Sequence, residues 1–498
     1  MVALALWLLL ACRPSALVPD SRAPGDTGAP PVGVVVLAGG GTEGEVGEPE
    51  AWSAQLYRPL LVGGDVTGDG RITVLVLSAG VESDWLPGYF RWLGADESFN
   101  LQISSRDAAS DPALADTFAA MDAVFLKGGD QGVYYDLWND TLLEEQILGV
   151  WARGGGLGGT SAGAMSLAGH ALAGGKDLVS ADVLADACTE WLADASDGGS
   201  AVHDDFLGVL PEVLIDTHFT ERGRLGRLAG AMAREQDERA PERLLGIGIE
   251  AETGLVVRDG LAEVLGVGSV AFVRPRPGGS LRRDCGEPLV YTDLSLDLLT
   301  EGWIFDLEAR APDRVAPPAD AEPVAWDGIL HDPENGVRWC VKGAEARDEQ
   351  EFGWMAKRGE APFFVQAGER PPLLVDTLGI LRADDEDARA LGQEALFRAL
   401  YELPGVSGLS VSAGAFLVAN ETGRVGFYPE SPRDAEVATL VIDTRAVDWR
   451  SLSPVPSRYD GGDGSLHAAG LLGLTLHVLS DSMETGLYWD TQARAVVR

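Results

Sequence analysis

Three apolar runs that each end in glycine constrain this fold most: "VGVVVLAGGG" at 32–41, "ITVLVLSAG" at 72–80 and "MDAVFLKGGDQ" at 121–131. Runs this short and this continuously apolar belong on strands buried on both faces, as in a parallel sheet covered by helices. Between and after them, "DWLPGYFRWLGA" reads as a helical stretch and "LLEEQILGVWARGGG" as a helix with a glycine stop. The fold class expected is α/β, a mostly parallel sheet with helices on both faces. In such sheets ligand sites form beyond the carboxyl ends of the strands, where these glycine turns fall.

The chain has 498 residues, 46% of them hydrophobic, enough for two or more domains. Asp and Glu outnumber Lys and Arg by 77 to 38, a formal charge of −39. Such a surface repels nucleic acid and anionic lipid, which excludes a polyanionic partner. The first residues read "MVALALWLLLAC", an apolar run too short to span a bilayer. Its Leu-Leu-Ala-Cys ending looks like a bacterial lipobox, with Cys12 lipidated after signal cleavage. A plain secretory signal and an uncleaved N-terminus are the alternatives, because no basic residue precedes the run. Residues 13–31, rich in Pro, Gly, Ser and Asp, read as a tether. The expectation is an exported envelope lipoprotein that meets membrane only through its lipid anchor. With Cys12 set aside, Cys188, Cys285 and Cys340 leave room for one disulfide of unread pairing. No Cys-x-x-Cys pair occurs, and His170, His203, His331, His467 and His477 show no ligand spacing. No metal or cofactor is expected.

In "GLGGTSAGAMS", 156–166, Ser161 occupies the G-x-S-x-G pattern of a nucleophile elbow. An elbow holds its serine at strained backbone angles, so its neighbours must be tiny; a plain small-residue turn is the alternative. The N–H of Ala162 would point toward a developing oxyanion. In "EVLIDTHFTERGRLGRLAGAMAREQ", 212–236, an apolar strand delivers Asp216 and His218, and His218 is placed to act as a general base. Arg222, Arg224 and Arg227 follow, either as a solvated helix face or as a carboxylate-binding cluster. "LLGIGIEAETGLVV", 244–257, is a strand carrying Glu250 and Glu252, and Glu250 is in a position to orient His218.

The ordered set "LAGGG", "GGDQ", "GGTSAGA", "DTHF" with "RGRLGRL", and "GIGIEAETGLVV" resembles the cyanophycinase and aspartyl dipeptidase family of serine peptidases, over residues 32–275. The resemblance implies a flavodoxin-like or glutamine-amidotransferase-like sheet with serine on the elbow. It implies Ser161 as nucleophile, His218 as base, and Gly129 and Ala162 as oxyanion donors. It also implies that Gln131, Asp216, Arg222, Arg224 and Arg227 line a pocket for a β-linked Asp-Arg unit. The chain departs from the family where Gly-Ile-Gly-Ile-Asp-Glu becomes Gly-Ile-Gly-Ile-Glu-Ala-Glu. Ala251 then stands in the glutamate column, and Glu250 is the first candidate for the triad acid. Asp177, Asp182 and Glu190, in a divergent loop, are further candidates, and Thr217 replaces the usual glutamine. The expected function is an exported serine exopeptidase acting on aspartyl peptide substrates. An α-aspartyl dipeptidase, or a catalytically impaired relative that binds peptides in the envelope, are the alternatives.

The chain also repeats itself. "VLIDTHF" (213–219) returns as "LLVDTLG" (373–379), "GIGIEAETGLVV" (246–257) as "GLSVSAGAFLVA" (408–419), and "LSLDLLTEGWIFDLEARA" (294–311) as "LTLHVLSDSMETGLYWDTQARA" (474–495). This register sets Ser412 against Glu250 rather than Ser161, and Leu378 where His218 stands. The expected organisation is a signal at 1–12, a tether at 13–31, a peptidase domain at 32–320 and a degenerate, non-catalytic α+β or β-rich copy at 321–498. The copy would serve packing or a homodimer contact; chance likeness between apolar strands is the plainer account.

Overall fold

The computed structural model describes residues 33–312 apart from 81–82, 174–177, 190–201 and 237–242. From 313 onward it describes the strands named below, a few residues near 396–400 and most of 467–498. Cys12, Asp177, Glu190, Leu378 and Ser412 lie outside the described residues.

The glycine-ended runs form parallel strands. β1 (Val35–Ala38), β2 (Thr73–Ser78), β3 (Glu97–Gln102), β4 (Ala123–Leu126) and β5 (Gly156–Thr160) lie in the order β1-β5-β4-β2-β3, every neighbouring pair parallel. Alternate side chains supply two separate cores, as a period of two requires. Val35, Leu37, Leu75 and Leu77 join one cluster, whereas Val36, Ala38, Val74 and Val76 join another with Tyr57 and Phe90. Both faces are therefore covered, and the α/β expectation describes the molecule.

After β5 the chain crosses to a second sheet through β6 (Ala168–Leu172), β7 (Val202–His203), β8 (Leu210–Thr217) and β9 (Leu245–Ile249); β6, β8 and β9 are parallel. β10 (Thr253–Arg258) and β11 (Leu261–Gly266) return to the first sheet, β10 antiparallel to β1 and β11 antiparallel to β10. β12 (Val270–Pro275), β13 (Leu281–Arg282) and β14 (Val290–Leu299) widen the second sheet beyond β9, while β15 (Ile304–Asp306) and β16 (Ala311–Pro312) finish the first. A disulfide joins Cys188 to Cys285, the pairing left open by the sequence.

The C-terminal half contains a hairpin, β17 (Ile329–His331) with β18 (Arg338–Cys340), and then β19 (Met355–Lys357), β20 (Phe363–Val365), β21 (Leu373–Asp376) and β22 (Ser407–Val411). β23 (Ala415–Ala419), β24 (Arg424–Pro429), β25 (Ala438–Asp443), β26 (Asp448–Pro456), β27 (His467–Ser480), β28 (Tyr488–Asp490) and β29 (Ala495–Val497) complete it. β27 pairs antiparallel with β14, so β20-β21-β22-β25-β27 continue the second sheet without a break. A separate five-stranded sheet has the order β19-β23-β24-β28-β29.

Candidate active site

The site is assembled where β5, β8 and the glycines after β1 converge. β5 consists of Gly-Leu-Gly-Gly-Thr, fully buried, and Ser161 follows at φ 52° and ψ −120°, after which Ala162–Met165 turn into a short helix. Small neighbours are obligatory. A Cβ on Gly159 would stand 2.4 Å from the carbonyl carbon of Gly163, and one on Gly163 would stand 2.2 Å from the carbonyl oxygen of Leu126. The G-x-S-x-G stretch is therefore an elbow rather than a loose turn. The N–H of Ser161 is fixed by the carbonyl of Ala38, at 2.9 Å, which ties the elbow to the end of β1.

His218 leaves the end of β8 in a left-handed conformation, φ 48°, with its N–H on the carbonyl of Gly39 at 2.9 Å. Its imidazole lies over Gly40, where a Cβ would come within 2.3 Å of Nε2. Gly40 itself has φ 101°, so glycine is needed there for both space and backbone. The Ser161 hydroxyl donates to Nε2 of His218 across 3.0 Å. On the far side of the ring, Nδ1 meets Oε1 of Glu221 at 2.5 Å. With a carboxylate on Nδ1 the proton sits there, which leaves Nε2 free to accept. Hydroxyl, imidazole and carboxylate thus form one continuous chain.

The carboxylate in that chain is not Glu250. The Glu250 side chain accepts from the backbone N–H of Ser269 at 2.7 Å and from its hydroxyl at 2.6 Å, and so braces the loop between β11 and β12. Asp182 lies in the helix Ser180–Ala185. Glu221 is not among the sequence candidates, Glu250, Asp177, Asp182 and Glu190, which lie on the β9 stretch and on the divergent loop. The available signal was its spacing: Glu221 is three residues after His218, and such pairs face one another once the chain turns helically. Burial opposes ionisation of Glu221. The bond to His218, and then the charges of His218, Arg222 and Arg224, overcome it and hold the carboxyl below the usual glutamate range.

The three arginines divide. Asp216 is fully buried, and the Arg227 guanidinium grips it through Nε at 2.8 Å and through a second, short contact. Arg227 is only 1% exposed, and Arg224 reaches Asp216 at 3.4 Å and the Thr217 carbonyl at 2.6 Å. Burial pushes the Asp216 carboxyl upward, but Arg227 and then Arg224 more than reverse this, and it lies below the usual aspartate range. Asp216, Arg224 and Arg227 thus direct their charge at one another, whereas the expectation had all three arginines line a pocket for a β-linked Asp-Arg unit. Only Arg222 is substantially open, 35% exposed, with Nε 3.8 Å from Glu221. The physical reason is that a +4, +6, +9 spacing spreads the arginines around the start of a helix instead of along one side.

Gly129 and Gln131 follow β4. The Cβ position of Gly128 lies 3.4 Å from Cβ of Ser161, so this turn runs beside the nucleophile. Asp130 caps the helix Gln131–Trp138 by accepting from the N–H of Gly132 at 2.9 Å, and Gln131 is the first, buried residue of that helix. Ala162 opens the helix after the nucleophile.

A serine elbow, an imidazole in contact and a carboxylate behind it define a serine hydrolase site. Comparison with known proteins narrows the class. The chain is 35% identical over 227 residues to a cyanophycinase of Trichormus variabilis, covering 44% of this chain and 69% of the relative. It is 33% identical over 226 residues to one of Synechococcus elongatus, with 44% and 64% covered, and 31% identical over 254 residues to one of Geminocystis herdmanii, with 49% and 86% covered. A solved structure of a peptidase from an acI-B1 Actinobacterium aligns with 55% of this chain and 97% of its own length, at 21% identity and a TM-score of 0.35. No family model matches the chain. The chain belongs to the cyanophycinase family, and it is a hydrolase of the peptidase type.

Proposed function

We propose that this chain is an exported serine exopeptidase that cleaves aspartyl peptide bonds of the β-Asp-Arg kind through Ser161, His218 and Glu221. The observation that carries this reading is the unbroken contact from the Ser161 hydroxyl through the His218 ring to the Glu221 carboxylate. His218 takes the hydroxyl proton at Nε2 as Oγ attacks the scissile carbonyl. The resulting oxyanion faces the N–H groups of Gly129 and Ala162. His218 then returns that proton to the departing amine, leaving an acyl-enzyme, and the same ring activates the water that hydrolyses it. Glu221 keeps the imidazole in the required tautomer and balances its charge once protonated.

The aspartyl preference rests on the family and on Arg222, whose half-open guanidinium beside the triad suits a substrate carboxylate. A catalytically impaired, peptide-binding relative loses its main motive, because Glu221 supplies a carboxylate where Ala251 cannot. Export is supported by the apolar run ending at Cys12 and by the Cys188–Cys285 bond, which persists in oxidising compartments. Purified protein offered β-Asp-Arg, α-Asp-X dipeptides and intact cyanophycin tests the reading. Turnover of β-Asp-Arg that vanishes in Ser161→Ala is expected. Preference for α-Asp-X would transfer the chain to the dipeptidases, and no turnover of any by folded protein would overturn the reading.

A further inference from the structure

We propose that residues 355–498 are a second copy of this fold's own tail, docked where the other subunit of a two-fold dimer would sit, so that the chain closes its β14 edge upon itself and works as a monomer with one active site. Strand registers carry the equivalence. β8 pairs Asp216 with Gly248 on β9, and β21 pairs Asp376 with Ser410 on β22, as the sequence alignment of these segments requires. β9 then pairs Ile249 with Val270 and β22 pairs Val411 with Thr439; β12 pairs Val270 with Leu299 and β25 pairs Thr439 with Leu479. The other sheet repeats as well. β1-β10-β11-β15-β16 corresponds to β19-β23-β24-β28-β29, with Val256 opposite Val36 in one and Val418 opposite Met355 in the other.

Local chemistry agrees with the registers. Asp306 accepts from the N–H of Ala309 at 2.7 Å and is followed by Arg310 at φ 55°. Asp490 accepts from the N–H of Ala493 at 2.8 Å and is followed by Arg494 at φ 50°. Left-handed arginines are uncommon, and two at equivalent positions after the same aspartate turn are not expected by chance. The Cβ space at Gly248 is taken by the Phe219 ring, at 2.4 Å. In the repeat the alignment puts Gly379 for Phe219 and Ser410 for Gly248, so the lost ring is matched by a gained side chain.

The seam between the copies has the signature of an isologous contact. Leu294 pairs with Leu476, Ser295 with Thr475 and Leu296 with Leu474. Since the alignment equates Leu294 with Leu474, Ser295 with Thr475 and Leu296 with Leu476, each residue meets its partner's counterpart, and the central pair is self-equivalent. Arg276 spans the axis, donating to Ser295 at 3.3 Å and to Thr475 at 2.6 Å. Leu294, Leu296, Leu474, Leu476 and Ile442 share one buried cluster across it. The repeat cannot add a second site. The stretch from Lys357 to Leu373 is too short for β2 to β5 and an elbow, and Leu378 occupies the histidine register.

Cysteine trapping in the full chain tests this independently of catalysis. Ser295→Cys combined with Thr475→Cys should form a bond within one chain, found by peptide mapping, and light scattering should give the mass of one chain. Ser295→Cys alone should give no disulfide between two chains through that position. An open β14 edge would place this position against its own copy in a second chain, so a covalent dimer of the single variant, joined there, would overturn the proposal. Absence of the bond in the double variant, or a two-chain mass for the wild type, would overturn it too.

Discussion

Glu221 sits 2.5 Å from Nδ1 of His218 and belongs to the turn directly after the strand that delivers the histidine. On the proposed mechanism, base and acid are therefore supplied by one short segment, 218–221, rather than by two strands. Glu221→Gln should lower kcat about ten-thousandfold with little change in KM, since the imidazole loses its tautomer and its counter-charge. Glu250→Gln, which weakens the brace on Ser269, should leave kcat within a few-fold. Steady-state kinetics on the two variants separate them.

Gly40 underlies the imidazole at a backbone angle that a side chain resists. Gly40→Ala should displace His218 and abolish turnover while the protein remains folded, as circular dichroism and labelling of Ser161 would register. Retained activity would mean that the ring has another resting place.

Asp216 and Arg227 are both buried and paired. Asp216→Ala strands the guanidinium and should cost about 3–5 kcal/mol, measured by urea unfolding. Arg222→Ala should leave unfolding unchanged and raise KM for β-Asp-Arg, because Arg222 is the open member of the three.

The Asp216 carboxyl lies below its ordinary value of about 4 in the folded chain. A group depressed by folding stabilises above its unfolded pKa and stops doing so as pH falls through the folded one. Urea midpoints should therefore fall as pH drops below about 4, and the fall should be shallower in Asp216→Asn.

Much of this was legible in the sequence, for identifiable reasons. Continuous apolar runs ending in glycine located β1, β2 and β4, because burial on both faces leaves no polar alternation to confuse the reading. Ser161 was legible because an elbow tolerates only tiny neighbours. Glu221 was not: it lies among "TERGR", charged residues that resemble a solvated helix start, and only the left-handed turn at His218 brings it back onto the ring. The arginine cluster was visible but its direction was not, since Asp216, inside an apolar strand, draws Arg224 and Arg227 inward. The family column for the acid holds Ala251, which leaves the neighbouring Glu250 as the nearest carboxylate, yet Glu250 reaches Ser269 on a loop that sequence spacing does not connect to it.

The central claim is that Ser161 is made nucleophilic by His218 and Glu221 together. Rates of active-site labelling by a fluorophosphonate, read by intact mass and peptide mapping on wild type, Ser161→Ala, His218→Ala and Glu221→Gln, address it most directly. One adduct on Ser161 in the wild type is predicted, with none in Ser161→Ala and strongly slowed labelling in the other two. Labelling that proceeds unchanged in Glu221→Gln, or that falls on another residue, would contradict the account.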